Sequence, residues 1–169
     1  MPKYAYSVKA TRYGTPTGSN TMPAASDLTA LPDTVRGSIT LDEGDASFTN
    51  INVDQKIPPI RRIQTAQGDV TFKMQFHDIS YAVIEALKGG TAVTGASPKW
   101  QSTGEWEDIE LALQVELDSG QYFNYYNAAV TAKIVGSGSR DGYFALDLSI
   151  LPQMATDLSG DWEIADVPA

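Results

Sequence analysis

Ile109-Glu110-Leu111-Ala112-Leu113-Gln114-Val115-Glu116-Leu117 sets an apolar residue at every odd position and Glu, Ala or Gln at every even one. Successive side chains of a strand point to opposite faces, so this stretch predicts a strand with one buried face and one wet, carboxylate-bearing face. The same period of two returns at Val70, Phe72, Met74, Phe76, at Ala128, Val130, Ala132, Ile134, and at Phe144, Leu146, Leu148, Ile150. Four segments of this kind make the chain mostly β.

Downstream, Asp118-Ser119-Gly120 reads as a turn. It is followed by a strand or paired strands over 121–135, a glycine-rich turn over 136–142, a strand over 143–151 ended by Pro152, and a last short strand over 162–165. Upstream, the strand 69–76 runs into the one convincing helix. Asp78 is its expected N-cap, Ile79, Val83, Ile84 and Leu87 share its apolar face, and Gly89-Gly90 stops it after Lys88. A helix of about ten residues is marginal alone and must be held by packing that stripe against a sheet or a neighbouring subunit. Residues 91–104 read as a small, polar loop around Trp100. Residues 3–10 form a plausible first strand, 35–41 a second, 42–45 a turn and 46–53 its hairpin mate, with Phe48 and Ile51 as core candidates and Pro58-Pro59 barring regular pairing beyond.

Residues 11–34, rich in Pro, Gly, Thr, Ser, Asn and Asp, are expected to form a long polar loop that orders only against a partner. The whole chain, 1–169, therefore reads as one domain with an inter-subunit loop at about 11–34. The expected fold is an antiparallel β-sandwich or barrel with one short flanking α-helix.

Composition removes several function classes. The 169 residues include no cysteine, which excludes disulfides, thiolate metal sites and cysteine nucleophiles. Twenty-one acidic against 12 basic residues give a net charge of −9, the wrong sign for a protein that binds nucleic acid by neutralising phosphates. Much of the surplus falls at Glu105, Glu107, Asp108, Glu110, Glu116 and Asp118. The N-terminus lacks a signal-peptide core and no apolar run spans a bilayer, so synthesis in the cytoplasm and no membrane insertion are expected.

No catalytic, cofactor-binding or metal-binding constellation emerges. His77 is the one histidine, which rules out sites built on two imidazoles and suits a structural role at a strand–helix junction. Glu105 with Glu107, or Glu110 with Glu116, could serve as a glycosidase pair in principle, but an acidic strand produces such pairs routinely. Asp42-Glu43-Gly44-Asp45 lacks EF-hand spacing, and the 136–142 loop lacks the helix N-terminus and lysine that receive phosphate. Tyr122, Phe123, Tyr125 and Tyr126 suggest a stacking platform, although core and interface packing fits their acidic neighbourhood better.

Taken together, the hairpin GSITLDEGDASFTNI (37–51), the strand and helix DVTFKMQFHDISYAVIEALKGG (69–90) and the meander IELALQVELDSGQYFNYYNAAVTAKIV (109–135) with GYFALDLSILP (142–152) resemble the major tail tube protein of long-tailed bacteriophages. The resemblance implies a non-enzymatic virion protein that forms six-fold rings stacked into a hollow tail. Its partners are then its own copies and other tail proteins (tape measure, terminator, distal tail), and DNA passes through without sequence-specific binding. It further implies an acidic channel, for which Asp108, Glu110, Gln114 and Glu116 are the lumen-lining candidates; Thr71, Lys73 and Gln75 form the competing set, and the sequence allows either. A tail terminator, a secretion-system-type tube protein and a carbohydrate-binding β-sandwich using 122–126 are the alternatives.

Overall fold

The computed structural model describes residues 7–53, 56–66, 68–77, 80–105, 107–136 and 144–166. Its main element is an eight-stranded antiparallel sheet built from β1 (Val8–Gly14), β2 (Thr29–Ala30), β3 (Thr40–Glu43), β6 (Val70–Phe76), β9 (Ile109–Leu117), β10 (Gln121–Gly136), β11 (Phe144–Gln153) and β12 (Trp162–Asp166). The strands follow the order β2-β1-β9-β10-β11-β6-β3, with β12 paired to β10. Beside it stand two two-stranded ribbons, β4 (Ser47–Val53) with β5 (Lys56–Ala66), and β7 (Thr91–Val93) with β8 (Lys99–Gln101), and one helix, α1 (Tyr81–Lys88). The expected mostly β, antiparallel fold with one flanking helix is what the chain adopts. Its strand path is open rather than closed into a barrel.

The sixteen-residue β10 is the spine. Its first half pairs with β9 and β12, and its second half with β11 while still holding the start of β9. Between the pairs Tyr125↔Leu113 and Ala128↔Leu111, β10 advances three residues while β9 advances two. This one-residue bulge changes which parity faces inward, from Phe123 and Tyr125 before it to Ala128, Val130 and Ala132 after it. The apolar side of the strand thus stays on one side of the sheet. Pro152, expected to end β11, lies inside it opposite Ala128, next to the bulge, where the ladder is already irregular.

The sheet curls over its inner face. Phe72 of β6 lies 5.7 Å from Tyr125 and 6.5 Å from Phe123, ring centre to ring centre, although β11 separates β6 from β10 in the strand order. One half of the sheet (β1, β9, the first half of β10, β12) therefore faces the other (the second half of β10, β11, β6, β3) in a sandwich-like core. Leu113, Val115, Tyr125, Met74, Phe76, Leu146, Leu148 and Ile150 are fully buried there. The aromatic segment 122–126 contributes to this core: Tyr125 and Tyr126 are buried and Phe123 packs on Trp162. It is not a free platform.

Helix α1 closes the core over the second half of β10, with Leu87 and Ile84 buried and Val83 packed at the edge. Ser80, not Asp78, is the N-cap; its hydroxyl accepts a hydrogen bond from the Val83 amide at 3.3 Å. Serine and aspartate cap equally well. Asp78 and Ile79 lie outside the described residues. Lys88 donates to the Ala132 carbonyl at 3.3 Å, and Gly89 ends the helix with φ of 77°. Residues 91–101, expected as loop, form the β7–β8 ribbon, tied to the helix end by the Trp100 indole donating to the Gly89 carbonyl at 2.9 Å.

Residues 37–70 pair differently from expectation. β3 does not turn back on β4; it pairs with β6, and β4 pairs with β5, so the four strands make one long hairpin whose inner part belongs to the sheet and whose outer part projects as an arm. Asp42 and Glu43 belong to β3 rather than to a turn. At the junction the Gly44 amide donates to the Asp69 carbonyl at 2.9 Å, and a Cβ on Gly68 would lie 1.6 Å from the Gly44 carbonyl oxygen. Backbone meets backbone there, and only glycine fits. The ladder of the arm loses its register between Ile51↔Arg61 and Val53↔Lys56, the interval that contains Pro58-Pro59.

Replacing Phe72 with Ala removes a ring that both halves of the sheet share, and should lower stability by about 3–5 kcal/mol in urea denaturation. Phe144→Ala, at a side chain 61% exposed, should stay within about 0.5 kcal/mol of the parent.

Candidate functional site

The even-numbered face of β9 was expected to be free and acidic. Register and side-chain bonds give it a different character. Arg12, Gln114, Asn124 and Glu163 stand directly opposite one another across β1, β9, β10 and β12. Each donates to the next: Arg12 to Gln114 Oε1 at 3.2 Å, Gln114 Nε2 to Asn124 Oδ1 at 3.1 Å, and Asn124 Nδ2 to Glu163 Oε1 at 2.9 Å. The row ties the four strands together across their outer face through polar side chains, in the register that the ladder and the apolar core also require. Beside Glu163, burial first and the Glu163 carboxylate second push the Tyr126 hydroxyl up to about 12.

Glu116 is only 5% exposed and is held by two cations, Lys9 Nζ at 2.5 Å from Oε1 and Arg12 Nη2 at 3.0 Å from Oε2. The Lys9 hydrogen bond holds its carboxyl below the ordinary 4.5; burial opposes this and Arg12 adds to it. A carboxylate so placed is neutralised within its own chain. Gln114 is likewise consumed by the row. Of the four lumen-lining candidates, Asp108 and Glu110 are exposed, at the start of β9, while Gln114 and Glu116 are committed to in-sheet bonds.

The long polar loop packs on this face at Gly14. Residues 11–14 belong to β1 and 29–30 to β2, and the stretch between them is ordered against the chain itself. The Asp157 amide donates to the Gly18 carbonyl at 3.0 Å, and the Asn20 amide to Ser159 Oγ at 3.0 Å. At Gly14, opposite the fully buried Ala112, the Asp27 carbonyl and the Leu28 side chain would lie 3.0 and 3.1 Å from a Cβ. The loop thus packs on the first half of the sheet at Gly14 and is tied to the 155–160 turn.

The second half of the sheet has an open outer face. Thr131 and Lys133 of β10 stand opposite Ser149 and Asp147 of β11, which stand opposite Lys73 and Gln75 of β6, and Thr40 and Asp42 of β3 oppose Lys73 and Thr71. Two lysines, two aspartates and small hydroxyl or amide side chains make a wet, polar wall of mixed charge. It contains Thr71, Lys73 and Gln75, the set that competed with the β9 acids, and ends at β3, an edge strand exposed along its whole length. Reading it from sequence would have required the register of β3 on β6, which periodicity does not carry.

A cleft of about 390 Å³ opens at the end of α1, where Leu87, Trp100 and Ile109 lie beside Glu105, Glu107, Asp108 and Glu110. Glu107 accepts hydrogen bonds from the Gly90 amide at 3.3 Å and the Thr103 hydroxyl at 3.4 Å. Among the described residues no group of three or more His, Cys, Asp or Glu is arranged to hold a metal ion, and no helix is long and apolar enough to cross a membrane. His77 is exposed directly after β6. No protein-family model matches the chain, and no curated protein matches it.

The depressed carboxyl of Glu116 gives a signed pH dependence. A carboxylate stabilised in the folded state contributes fully above its unfolded value near 4.5, and that contribution disappears as pH falls through the lower folded value. Glu116→Gln should cost about 1–3 kcal/mol at pH 7, and its stability should fall less steeply than the parent's below about pH 4.5, read from urea midpoints across a pH series.

Proposed function

We propose that this chain is a structural virion protein, a tail tube subunit whose copies assemble into hexameric rings stacked around a hollow channel for DNA delivery. The observation that carries this reading is the open polar wall of β10, β11, β6 and β3, which ends at an unpaired strand edge. A sheet with a free edge is a template for further strands, and repeating it from copy to copy around a ring produces a continuous wall. Its opposite face is already buried in the sandwich, so the wall is the face left for the channel.

In this arrangement the lumen is lined by Thr71, Lys73 and Gln75 with Thr131, Lys133, Asp147 and Ser149. Two lysines balanced by two aspartates, Asp42 and Asp147, offer a phosphate backbone no cationic surplus to adhere to. Glu110 and Asp108 lie near the rim of the wall and supply the acid there. Other tail proteins would meet the ends of the stack, and the assembled location is the virion tail.

Electron microscopy of the purified protein at high concentration should show hollow rings or tubes of uniform width, whereas a persistent dispersed monomer would count against the reading. Because the chain has no cysteine, single-cysteine variants report the wall directly. Lys73→Cys and Lys133→Cys should react with a bulky maleimide polymer in free subunits and be protected in tubes. Glu85→Cys, on the exposed side of α1, should react in both.

A further inference from the structure

Strand β10 outruns its neighbour. Its ladder with β9 ends at Val130↔Ile109, whereas its ladder with β11 continues to Gly136↔Phe144, so the edge of residues 131–136 that faces away from β11 has no strand beside it among the described residues. The reason lies at the end of α1. Glu107 accepts from the Gly90 amide and the Thr103 hydroxyl, which binds the approach to β9 to the helix end instead of to β10. The cleft of about 390 Å³ lies along this uncovered edge, lined by Thr131 and Ala132 together with Ser102 and Thr103. An unpaired main-chain edge is a template for a further strand, and folded chains commonly blunt one with a lysine.

Lys88 stands at that place. A lysine in the last turn of a helix ordinarily serves the helix's own C-terminal carbonyls. The Lys88 ammonium instead crosses to the sheet and donates to the Ala132 carbonyl at 3.3 Å. The residue is exposed, so this contact can be released without disturbing the core. The other end of the same wall supplies the competitor. β3 pairs with β6 alone, is exposed along its whole length, and carries Asp42 and Glu43 with no cation. The uncovered stretch of β10 carries Lys133 with no carboxylate, and Lys88 sits beside it. An acidic edge and a basic edge terminate one wall, held apart by β11 and β6, and a second copy is what can bring them together.

We propose that Lys88 is a latch on the uncovered edge of β10, an autoinhibitory contact that keeps β3 of a second copy from pairing with residues 131–136 until the ammonium leaves the Ala132 carbonyl. The identity of the incoming strand rests on the tube reading, and the test separates the two. Light scattering and sedimentation velocity follow association of the full-length parent and of four variants, each with circular dichroism superimposable on the parent's. Lys88→Met keeps the aliphatic stem and removes the donor; it should begin to associate at a concentration roughly tenfold below the parent's, the size of one charged hydrogen bond. Lys88→Arg restores a donor and should match the parent. Lys133→Met removes the same charge from the strand but leaves the carbonyl held, and should not lower the onset. Asp42→Lys and Glu43→Lys added to Lys88→Met should cancel its gain. An onset for Lys88→Met equal to or above the parent's, or an onset for Lys133→Met as low as that of Lys88→Met, overturns the latch. A gain in Lys88→Met that survives the β3 substitutions overturns β3 as the incoming strand. A parent that stays monomeric at every concentration counts against the tube reading alone: the latch then stands if Lys88→Met associates and falls if it too stays monomeric.

Discussion

A strand of sixteen residues cannot keep a strict alternation on a sheet that curls, because twist accumulates along it and turns its inward face aside. The single extra residue between Tyr125 and Ala128 resolves this. By shifting the inward parity once, it lets Phe123 and Tyr125 serve one half of the core and Ala128, Val130 and Ala132 the other. It also lets β10 exchange β12 for β11 as its neighbour along one edge. Phe72 can then meet Tyr125 across the interior. The placement of α1, the burial of the aromatic segment and the separation of a covered outer face from an open one all follow from that local irregularity.

The outer faces of the two halves are handled by different chemistry. On the first half, polar side chains are consumed internally, in the Arg12–Gln114–Asn124–Glu163 row and the Lys9–Glu116–Arg12 cluster, and the 15–28 segment packs on β1 at Gly14. A lone buried carboxylate would be costly, and the two cations offset its desolvation. On the second half, Thr, Ser, Gln, Lys and Asp remain in water. An alternating strand that reads as wet on one side can therefore be covered by its own chain. That cover, at Gly14, is the Asp27 carbonyl with the Leu28 and Pro23 side chains, isolated apolar residues in a polar loop that carry no periodic signature.

How much was legible follows from which signals are local. IELALQVEL announced a strand because its period of two is uninterrupted, and Val83, Ile84 and Leu87 announced a helix face because they are spaced for one turn. The bulge was hidden, since 122–127, Tyr-Phe-Asn-Tyr-Tyr-Asn, has no alternation from which a change of parity could be read. The partner of β3 was hidden for another reason: a turn signal at 42–45 followed by a second strand is the usual mark of a hairpin, and nesting one ribbon inside another inverts the pairing without changing the local sequence. The fate of Glu116 depended on Lys9 and Arg12, more than a hundred positions away, which only the register of β1 on β9 brings into reach. The open wall was visible only as one of two possibilities for the same reason.

The junction at Gly44 and Gly68 has a consequence for how such a chain can change. The arm leaves the sheet and returns to it at a single point, where backbone touches backbone and the Gly44–Asp69 hydrogen bond seals the ladder of β3 on β6. Whatever lies between those two glycines can lengthen, shorten or be exchanged without moving any residue of the sandwich. The length of the arm is therefore an independent variable of the fold, adjustable by insertion and deletion, while the outer face of the sheet is fixed by a register that such changes never enter.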